Sequence, residues 1–451
     1  MKIIVVGCGK VGMTLVEALC AENHDVTVVD INRKAVEEAT ERFDVYGVVG
    51  NGAGTAILRD ADIENTDLLI AMTGNDELNI LCCMLAHRRV GCQTIVRIHN
   101  PEYARDIPDI REDLGLSMAV NSEYMAAREI AGILRFPSAQ AIETFSKGIV
   151  EIIKYKIPED CPINDVKISE LPFKMGGRVL ICAVERGDDV VIPRGDFALK
   201  GGDVVSVVAT RDTAAEIFSI LAPVRKKVSK CMILGGGGVS YYLASHLLKM
   251  KMNVTIIDKS IERCRFLSEN LKGAVIINAD AVNPAVLEEE GLKDVDAFLA
   301  MTNIDETNLL LSLYAKKNSS AKLITKVHRV TYDDIIKSLD LDSIICPKNI
   351  VADNIIQYVR AMENATGSNV ETMYHILGNK AEALEFKVKE GSPVIGKPLS
   401  ELKIKHDVLV AGIRQGKKAI IPEGSTVISK GDSVVVVTTR TKLNDISDIL
   451  D

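Results

Sequence analysis

Tryptophan is absent, and aromatic residues make up only 4% of the 451 residues. Stacking platforms for bases or sugars need several exposed rings, so an aromatic nucleic-acid groove or a carbohydrate cleft is not expected. Basic charge is not in excess either: 54 Lys and Arg against 62 Asp and Glu leave a net charge of −8. General nucleic-acid binders rely on basic surface, so no nucleic-acid partner is expected. Long apolar runs are missing. Stretches such as residues 204–209 and 309–313 fall far short of the roughly 18 residues that span a bilayer. The apolar stretch at residues 3–6 is too short for a signal-peptide core and runs straight into a glycine loop. The expectation is a cytoplasmic protein whose membrane role, if any, is peripheral. The ten cysteines form no C-x-x-C pair, and Cys82-Cys83 are vicinal. They read as small buried hydrophobes in a reducing compartment, and the seven histidines show no metal-ligand spacing.

What remains is ordinary globular composition, 47% apolar and 26% charged, and a length that predicts about three domains. An internal repeat changes that number. Lys2-Ile3-Ile4-Val5-Val6-Gly7-Cys8-Gly9-Lys10-Val11 aligns with Lys230-Cys231-Met232-Ile233-Leu234-Gly235-Gly236-Gly237-Gly238-Val239, an offset of 228. Asp25–Asp30 aligns with Asn253–Asp258 at the same offset. At an offset of 229, Asp67-Leu68-Leu69-Ile70-Ala71-Met72-Thr73 matches Asp296-Ala297-Phe298-Leu299-Ala300-Met301-Thr302. Asp76-Glu77 and Asn79 match Asp305-Glu306 and Asn308. Ile192-Pro193-Arg194-Gly195 and Gly202-Asp203 match Ile421-Pro422-Glu423-Gly424 and Gly431-Asp432, again at 229. The period is too long for a solenoid and marks duplication of a whole unit.

Each unit has two parts. In the first, strands at 3–6, 26–30, 68–72, 94–98 and 118–120 alternate with helices at 11–21, 33–42, 77–89 and 121–134. Runs apolar on both faces, separated by helices, predict a parallel sheet covered on both sides. Phe136-Pro137-Ser138 breaks the last helix. The second part reads as a small α+β module with strands at 149–157, 179–185, 189–192 and 203–209 and a closing helix at 212–221. It recurs with strands at 383–388, 408–414, 418–421 and 433–439. Linkers are placed at 225–229 and 364–369. The expected fold is α/β: two Rossmann-like, doubly wound parallel-sheet domains, each followed by a small α+β module. The boundaries are 1–125, 140–225, 229–350 and 368–451.

The glycine pattern Gly7-x-Gly9-x-x-Gly12 follows a strand, opens a helix and precedes an acid, Asp30, that ends the next strand. Gly7 permits the turn, Gly9 lets backbone approach a pyrophosphate, and Gly12 lets the helix pack closely. The helix N-terminus stabilises the anion, and Asp30 accepts hydrogen bonds from ribose hydroxyls while repelling a 2′-phosphate. NAD is therefore favoured over NADP. The second loop keeps Gly235, Gly237 and Asp258 but has Ser240 at the third position. It is either a nucleotide site, for a dinucleotide or a mononucleotide such as ATP, or an empty structural copy.

Ligands in such sheets bind at the C-terminal ends of the strands. Met72-Thr73-Gly74-Asn75 and Gly50-Asn51-Gly52 lie there, with copies Met301-Thr302-Asn303-Ile304 and Asn278-Ala279-Asp280. Asp280 would face any phosphate with negative charge. Arg97 and its counterpart Lys326 place a cation within an apolar strand, and such a charge needs a partner. A phosphate ligand is one option; an ion pair with a carboxylate such as Glu77 is the other. The duplicated histidines His99 and His328 are as readily structural as functional. The first small module has no histidine, and the second has His375 and His406 at non-equivalent positions. An NAD-dependent oxidoreductase with a duplicated Rossmann domain is the alternative class, but it needs a general acid or base beside the nicotinamide that these modules do not offer. Asp188-Asp189 and Asp203 read as solvated turns, and the modules either bind an ion or ligand or only dimerise.

The order Rossmann domain, small module, Rossmann domain, small module resembles the TrkA family of bacterial and archaeal Trk potassium uptake systems, built from RCK (or KTN) domains with RCK C-terminal modules. The likeness is carried by the start Met-Lys-Ile-Ile-Val-Val-Gly-Cys-Gly-Lys-Val-Gly, by residues 67–79, and by residues 192–203 and 421–432. It covers essentially the whole chain. The resemblance implies a regulatory subunit on the inner face of the membrane, docked on a membrane-embedded potassium channel subunit. It also implies NAD(H) at the first cleft, NAD(H) or ATP or ADP at the second, and a homotetramer. The family's nucleotide contacts fall on the loop Gly7, Cys8, Gly9, Lys10, Val11 and Gly12, and on Asp30, Asn51, Gly52, Thr73, Gly74 and Arg97. In the second copy they fall on Gly235, Gly237, Asp258, Asp280, Thr302 and Lys326. Glu123, just after the last strand, is placed to reach a neighbouring subunit's ligand; its copy position is taken as Asn349.

Overall fold

The computed structural model describes residues 1–136, 139–145, 150–159, 161, 163–171, 179–187, 189–210, 228–328, 339, 341–365, 370–376, 380–416, 418–439, 443 and 445–451. The expected helix at 212–221 lies outside them.

The apolar run Ile3-Ile4-Val5-Val6 forms β1 (Lys2–Val6), buried along its length beyond Lys2. It pairs in parallel with β2 (Asp25–Asp30) on one side and with β4 (Leu68–Ala71) on the other, so that Val6 is flanked by Val29 and Ala71. With β3 (Tyr46–Val49), β5 (Gln93–Arg97) and β6 (Met118–Val120) the order across the sheet is β3-β2-β1-β4-β5-β6. The helices are α1 (Lys10–Ala21), α2 (Arg33–Arg42), α3 (Thr55–Asp60), α4 (Asp76–Val90), α5 (Pro101–Ile110) and α6 (Ser122–Arg135). α5 is started by Pro101 at its first turn and by Asn100, whose side chain accepts from Glu102 N. α3, α5 and the bounds of the edge strand β3 were not read from the sequence.

The second copy repeats this order. β7 (Ala139–Phe145) through β11 (Val204–Thr210) intervene, and the parallel strands then run from β12 (Lys230–Leu234) to β17 (Ser343–Ile345) in the order β14-β13-β12-β15-β16-β17. Its helices are α7 (Gly238–Lys249), α8 (Ile261–Asn270), α9 (Pro284–Glu289), α10 (Asp305–Asn318) and α11 (Pro347–Ala365). Both sheets are doubly wound and α/β, as expected. No helix among the described residues is long and apolar enough to cross a membrane.

The chain divides by contact into two units, and each draws on both halves of the sequence. Residues 1–131 and 229–356 make one, and residues 132–228 and 357–451 the other. In the first unit the two Rossmann domains meet each other. Asn121 Nδ2 donates to Tyr242 Oη at 3.2 Å, and the Tyr124 ring packs edge-on to Tyr242 at 5.6 Å.

In the second unit each module is a five-stranded, antiparallel sheet. The first has the order β10-β9-β11-β8-β7 and includes β8 (Val150–Lys156), β9 (Leu180–Arg186) and β10 (Asp189–Val191). The second has the order β18-β19-β22-β20-β21. Its strands are β18 (Val370–Ile376), β19 (Ala381–Lys387), β20 (Val408–Gln415), β21 (Lys418–Ile420) and β22 (Ser433–Thr438). Each sheet has one strand more than the sequence reading, β7 and β18, beside the segments taken as breaks. Val150, Ile152 and Val208 of one module share a core with Ala383, Ala411 and Val435 of the other.

Asp203 is not a solvated turn. It is 2% exposed and accepts from Arg186 Nε and Nη2 at 2.7 Å each and from Lys200 N at 2.8 Å. Asp432 repeats the role, accepting from Ser429 N at 2.8 Å, with Gln415 Nε2 at 3.0 Å in place of the arginine. None of the ten cysteines is in a disulfide, and nine are buried. Burial pushes the Cys8, Cys82, Cys182 and Cys231 thiols up to about 12, which favours the protonated thiol over the thiolate.

Candidate functional site

The turn after β1 is dictated by backbone geometry. Gly7 has φ +105°, and a β-carbon there would stand 2.9 Å from Met72 C and Thr73 N. A β-carbon on buried Gly12 would stand 1.9 Å from Gly7 O, so α1 lies directly on the turn. Gly9 faces open space and caps α1 without a side-chain bond. The first amides of α1, including those of exposed Lys10 and buried Val11, have no intrahelical acceptor and are directed at whatever occupies the loop.

Asp30 ends β2 beside this loop. Its Oδ2 accepts from Cys8 N at 2.7 Å and its Oδ1 from Asn32 N at 2.8 Å. Both oxygens are thereby oriented, and each keeps lone pairs for a hydroxyl. Asp258 is held the same way by Gly236 N at 2.5 Å and Ser260 N at 2.8 Å. Asn51 turns its Oδ1 back to Ala53 N at 3.0 Å, and Gly52 is packed against Val6.

Two buried residues that the sequence reading did not single out for the site organise its far side. Asn79 Oδ1 accepts from Thr73 N (2.9 Å) and Thr73 Oγ1 (2.6 Å), and its Nδ2 donates to Thr73 O (3.2 Å) and Arg97 O (3.0 Å). Asn308 makes the same four bonds to Thr302 and Lys326 at 2.9, 2.7, 3.0 and 2.8 Å. Asp76, 7% exposed, accepts from the backbone of His99 and Asn100 at 2.8–3.0 Å, and Asp305 accepts from His328 N at 2.9 Å. The duplicated histidines belong to this frame: His328 Nδ1 lies 2.8 Å from Asp305, and His99 Nδ1 lies 3.4 Å from Asp76. The signal was present as a duplicated Asp and Asn at the start of α4 and α10. Gly74 projects from the same loop into open space.

Arg97 does not pair with Glu77, whose Oε1 accepts from Tyr103 Oη at 2.8 Å. The charges that act on Arg97 are Glu123 and Asp76, burial lowers its pKa, and its Nε is buried without a hydrogen-bond partner. Lys326 is 4% exposed, with Nζ 3.2 Å from Asn303 Oδ1. Burial pushes its pKa down to about 8 against the pull of Asp305 and Glu123.

These cations face a cavity of about 640 Å³ where the two Rossmann domains meet, lined by Lys10, Arg97, Glu123, Gly238, Lys326 and Lys348. Glu123 therefore lies against the second glycine loop of its own chain: a β-carbon on Gly238 would be 2.7 Å from Glu123 Cγ. Its counterpart is Lys348, not Asn349. Arg97 is in register with Val120 and Lys326 with Ile345, and three residues further on stand Glu123 and Lys348. Reciprocally, Lys348 and Asn349 border the first loop, at Cys8, Gly9 and Lys10, around a cavity of about 790 Å³.

The second cleft proper, about 480 Å³, gathers Gly235, Gly237, Asp258, Asp280, Thr302 and Arg263. Ser240 is accommodated at the third glycine position. It is fully buried, and its Oγ donates to Gly235 O at 2.5 Å. Asp280 is exposed within the cleft and accepts from Val282 N at 3.1 Å. Arg263 has no sequence copy, since Ala35 stands at its position in the first half.

Comparison with known proteins agrees with this duplicated frame. The TrkA-N domain model matches residues 3–122 and 231–347, and the TrkA-C domain model matches residues 152–222 and 383–451. The chain is 33% identical over 452 residues to the Trk system potassium uptake protein TrkA homolog of Archaeoglobus fulgidus, covering 100% of each chain. It is 31% identical over 444 residues to TrkA homolog 1 of Methanosarcina mazei, covering 97% of each. Among solved structures, the GsuK channel bound to NAD has the same fold, with a TM-score of 0.65 at 16% identity over 97% of this chain and 76% of that one. Matched by both domain models in each half and by these relatives along its length, the chain belongs to the TrkA family of Trk potassium uptake proteins.

Proposed function

We propose that this chain is the nucleotide-sensing regulatory subunit of a Trk-type potassium uptake system, acting on a membrane-embedded channel subunit from the cytoplasmic face as a homotetramer. The observation that carries the reading is the pair of carboxylates, Asp30 and Asp258, each held by two backbone amides at the mouth of a glycine turn. The residues fit an adenine nucleotide. Asp30 is oriented for ribose hydroxyls, the uncapped start of α1 for a pyrophosphate, and the orphaned Arg97 Nε for a further anionic oxygen. NAD(H) is assigned to the first cleft and NAD(H) or ATP or ADP to the second. The names of the relatives support potassium uptake as the process, and a structural neighbour described as bound to NAD supports the ligand class.

Such a subunit needs no catalysis. A ligand shifts a domain arrangement by as much as it prefers one arrangement over the other. The first glycine loop borders Lys348 and Asn349 of the second Rossmann domain, and Glu123 of the first lies against the second loop, so a ligand at either loop can bias the separation of the domains. The test is calorimetric titration of NADH, NAD, ATP and ADP into the wild type and the Asp30→Ala and Asp258→Ala variants. Loss of a charged acceptor for ribose hydroxyls weakens binding at the altered cleft by about tenfold or more. NADH is bound stoichiometrically and recovered unoxidised. Unchanged affinity in Asp30→Ala refutes the first cleft, and oxidation of NADH with a small carbonyl compound favours the oxidoreductase class.

A further inference from the structure

The two glycine loops differ in their middle residue, and a neighbouring helix differs in step with it. The first loop carries Cys8, and α2 carries Ala35 and Ala39. The second carries Gly236, and α8 presents Arg263 and Leu267 at the same offset of 228. A β-carbon on Gly236 would meet Leu267 Cδ1 at 2.6 Å and Arg263 Cγ at 3.3 Å. Volume held by the loop in one copy is held by the helix in the other, and the helix uses it to bring a guanidinium over the loop.

The position of that guanidinium is defined on three sides. Its Nε donates to Gly236 O. The centre of the guanidinium lies 4.5 Å from the ring centroid of Phe266, which packs against Tyr241 of α7 at 5.5 Å. The side chain lines the second cleft beside Asp258, whose carboxylate attracts it. Resting on the reading of the cleft as a nucleotide site, Asp258 holds the ribose, so the base attached to that ribose lies at the same rim. We infer that Arg263 is a specificity-determining residue of the second cleft. Its plane, backed by Phe266, stacks on the adenine ring, and its charge offsets Asp258 and Asp280 for a ligand carrying phosphates. Guanidinium planes serve bases in this way because they are flat, always charged and weakly hydrated. The device compensates for the acidic residue that otherwise disfavours this copy, and the first cleft lacks it.

The test uses the full chain carrying Asp30→Ala, so that the first cleft is silent, with ATP and NADH titrated by calorimetry. Arg263→Ala weakens ATP binding by about fivefold or more. Arg263→Lys keeps the charge but loses the plane, and stays closer to Arg263→Ala than to the parent. Equal affinity in parent and Arg263→Ala overturns the inference, as does tighter binding, which would make Arg263 an obstruction. Full affinity in Arg263→Lys overturns the stacking role. If the Asp30→Ala parent binds neither nucleotide, the reading of the second cleft fails and the inference with it.

Discussion

Asn79→Ala is the most informative single change to the frame of the first cleft. Asn79 is fully buried and joins the ends of β4 and β5 by four hydrogen bonds of 2.6–3.2 Å. Alanine leaves Thr73 N, Thr73 O and Arg97 O without that partner in a buried setting. Each bond contributes about 1 kcal/mol net, and an unsatisfied buried group costs about 1–3 kcal/mol, so the substitution should destabilise by about 3–5 kcal/mol. Urea unfolding followed by circular dichroism measures this directly. Asn308→Ala is an internal control, because its four bonds match to within 0.2 Å and its cost should match too. The two variants separate in binding: Asn79→Ala loosens Thr73 and Arg97 and weakens nucleotide at the first cleft, and Asn308→Ala does so only at the second. A loss below about 1 kcal/mol, or equal damage to both clefts from one variant, refutes the reasoning.

Lys326→Met should be more stable than wild type by about 2–3 kcal/mol at pH 7, with the gap closing toward pH 10. The folded pKa near 8 lies below the ordinary 10.5, so the unfolded chain binds more protons in that window and wild-type stability rises with pH. A pH-independent gap in urea unfolding would contradict this. Gly12→Ala forces a β-carbon into Gly7 O and should cost about 1–3 kcal/mol, seen as a lower melting temperature together with lost NADH binding at the first cleft. Arg186→Ala strands the carboxylate of Asp203 and should cost about 2–4 kcal/mol, allowing for the partial exposure of the arginine. Gln415→Ala, which removes one hydrogen bond from a neutral amide to the Asp432 carboxylate and no countercharge, should cost about 1–2 kcal/mol, and the reverse order in urea would overturn that account.

The parallel strands were legible because residues 3–6, 26–30 and 68–72 must be apolar on both faces, and the glycine turn because its backbone excludes other residues. The edge strand β3 was not delimited: Tyr46 and Val49 are exposed, so its pattern carries no double-sided apolar run. β7 and β18 begin within a few residues of Pro137 and Gly367, and the breakers masked the strands that follow. Glu77 was the wrong partner for Arg97 because consecutive helical residues diverge by about 100°. Asp76 faces the end of β5, and Glu77 faces Tyr103 on α5. The Glu123 counterpart was misplaced by one residue: the step from Arg97 to Val120 is 23 residues and that from Lys326 to Ile345 is 19, so the offset falls from 229 to 225, which is Lys348, while Asn349 stands at 226. Pairing of like domains from the two halves was not legible at all. It is written in surface contacts such as Asn121 with Tyr242, which no local pattern announces.

Covalent duplication has a physical consequence that two identical subunits could not achieve. The groups that hold the backbone are the same in both copies: Asp30 and Asp258, Asp76 and Asp305, Asn79 and Asn308. Each accepts from backbone amides, and changing it would leave them without that partner. The groups around the clefts differ: Ala35 and Arg263, Arg97 and Lys326, Glu123 and Lys348. The last pair reverses sign, so the first loop is approached by a cation from the second copy and the second loop by a carboxylate from the first. A symmetric dimer would have to present one residue to both loops. Two clefts that share a scaffold and a common interface but differ in charge can prefer different ligands, and each ligand then acts on the same domain contact.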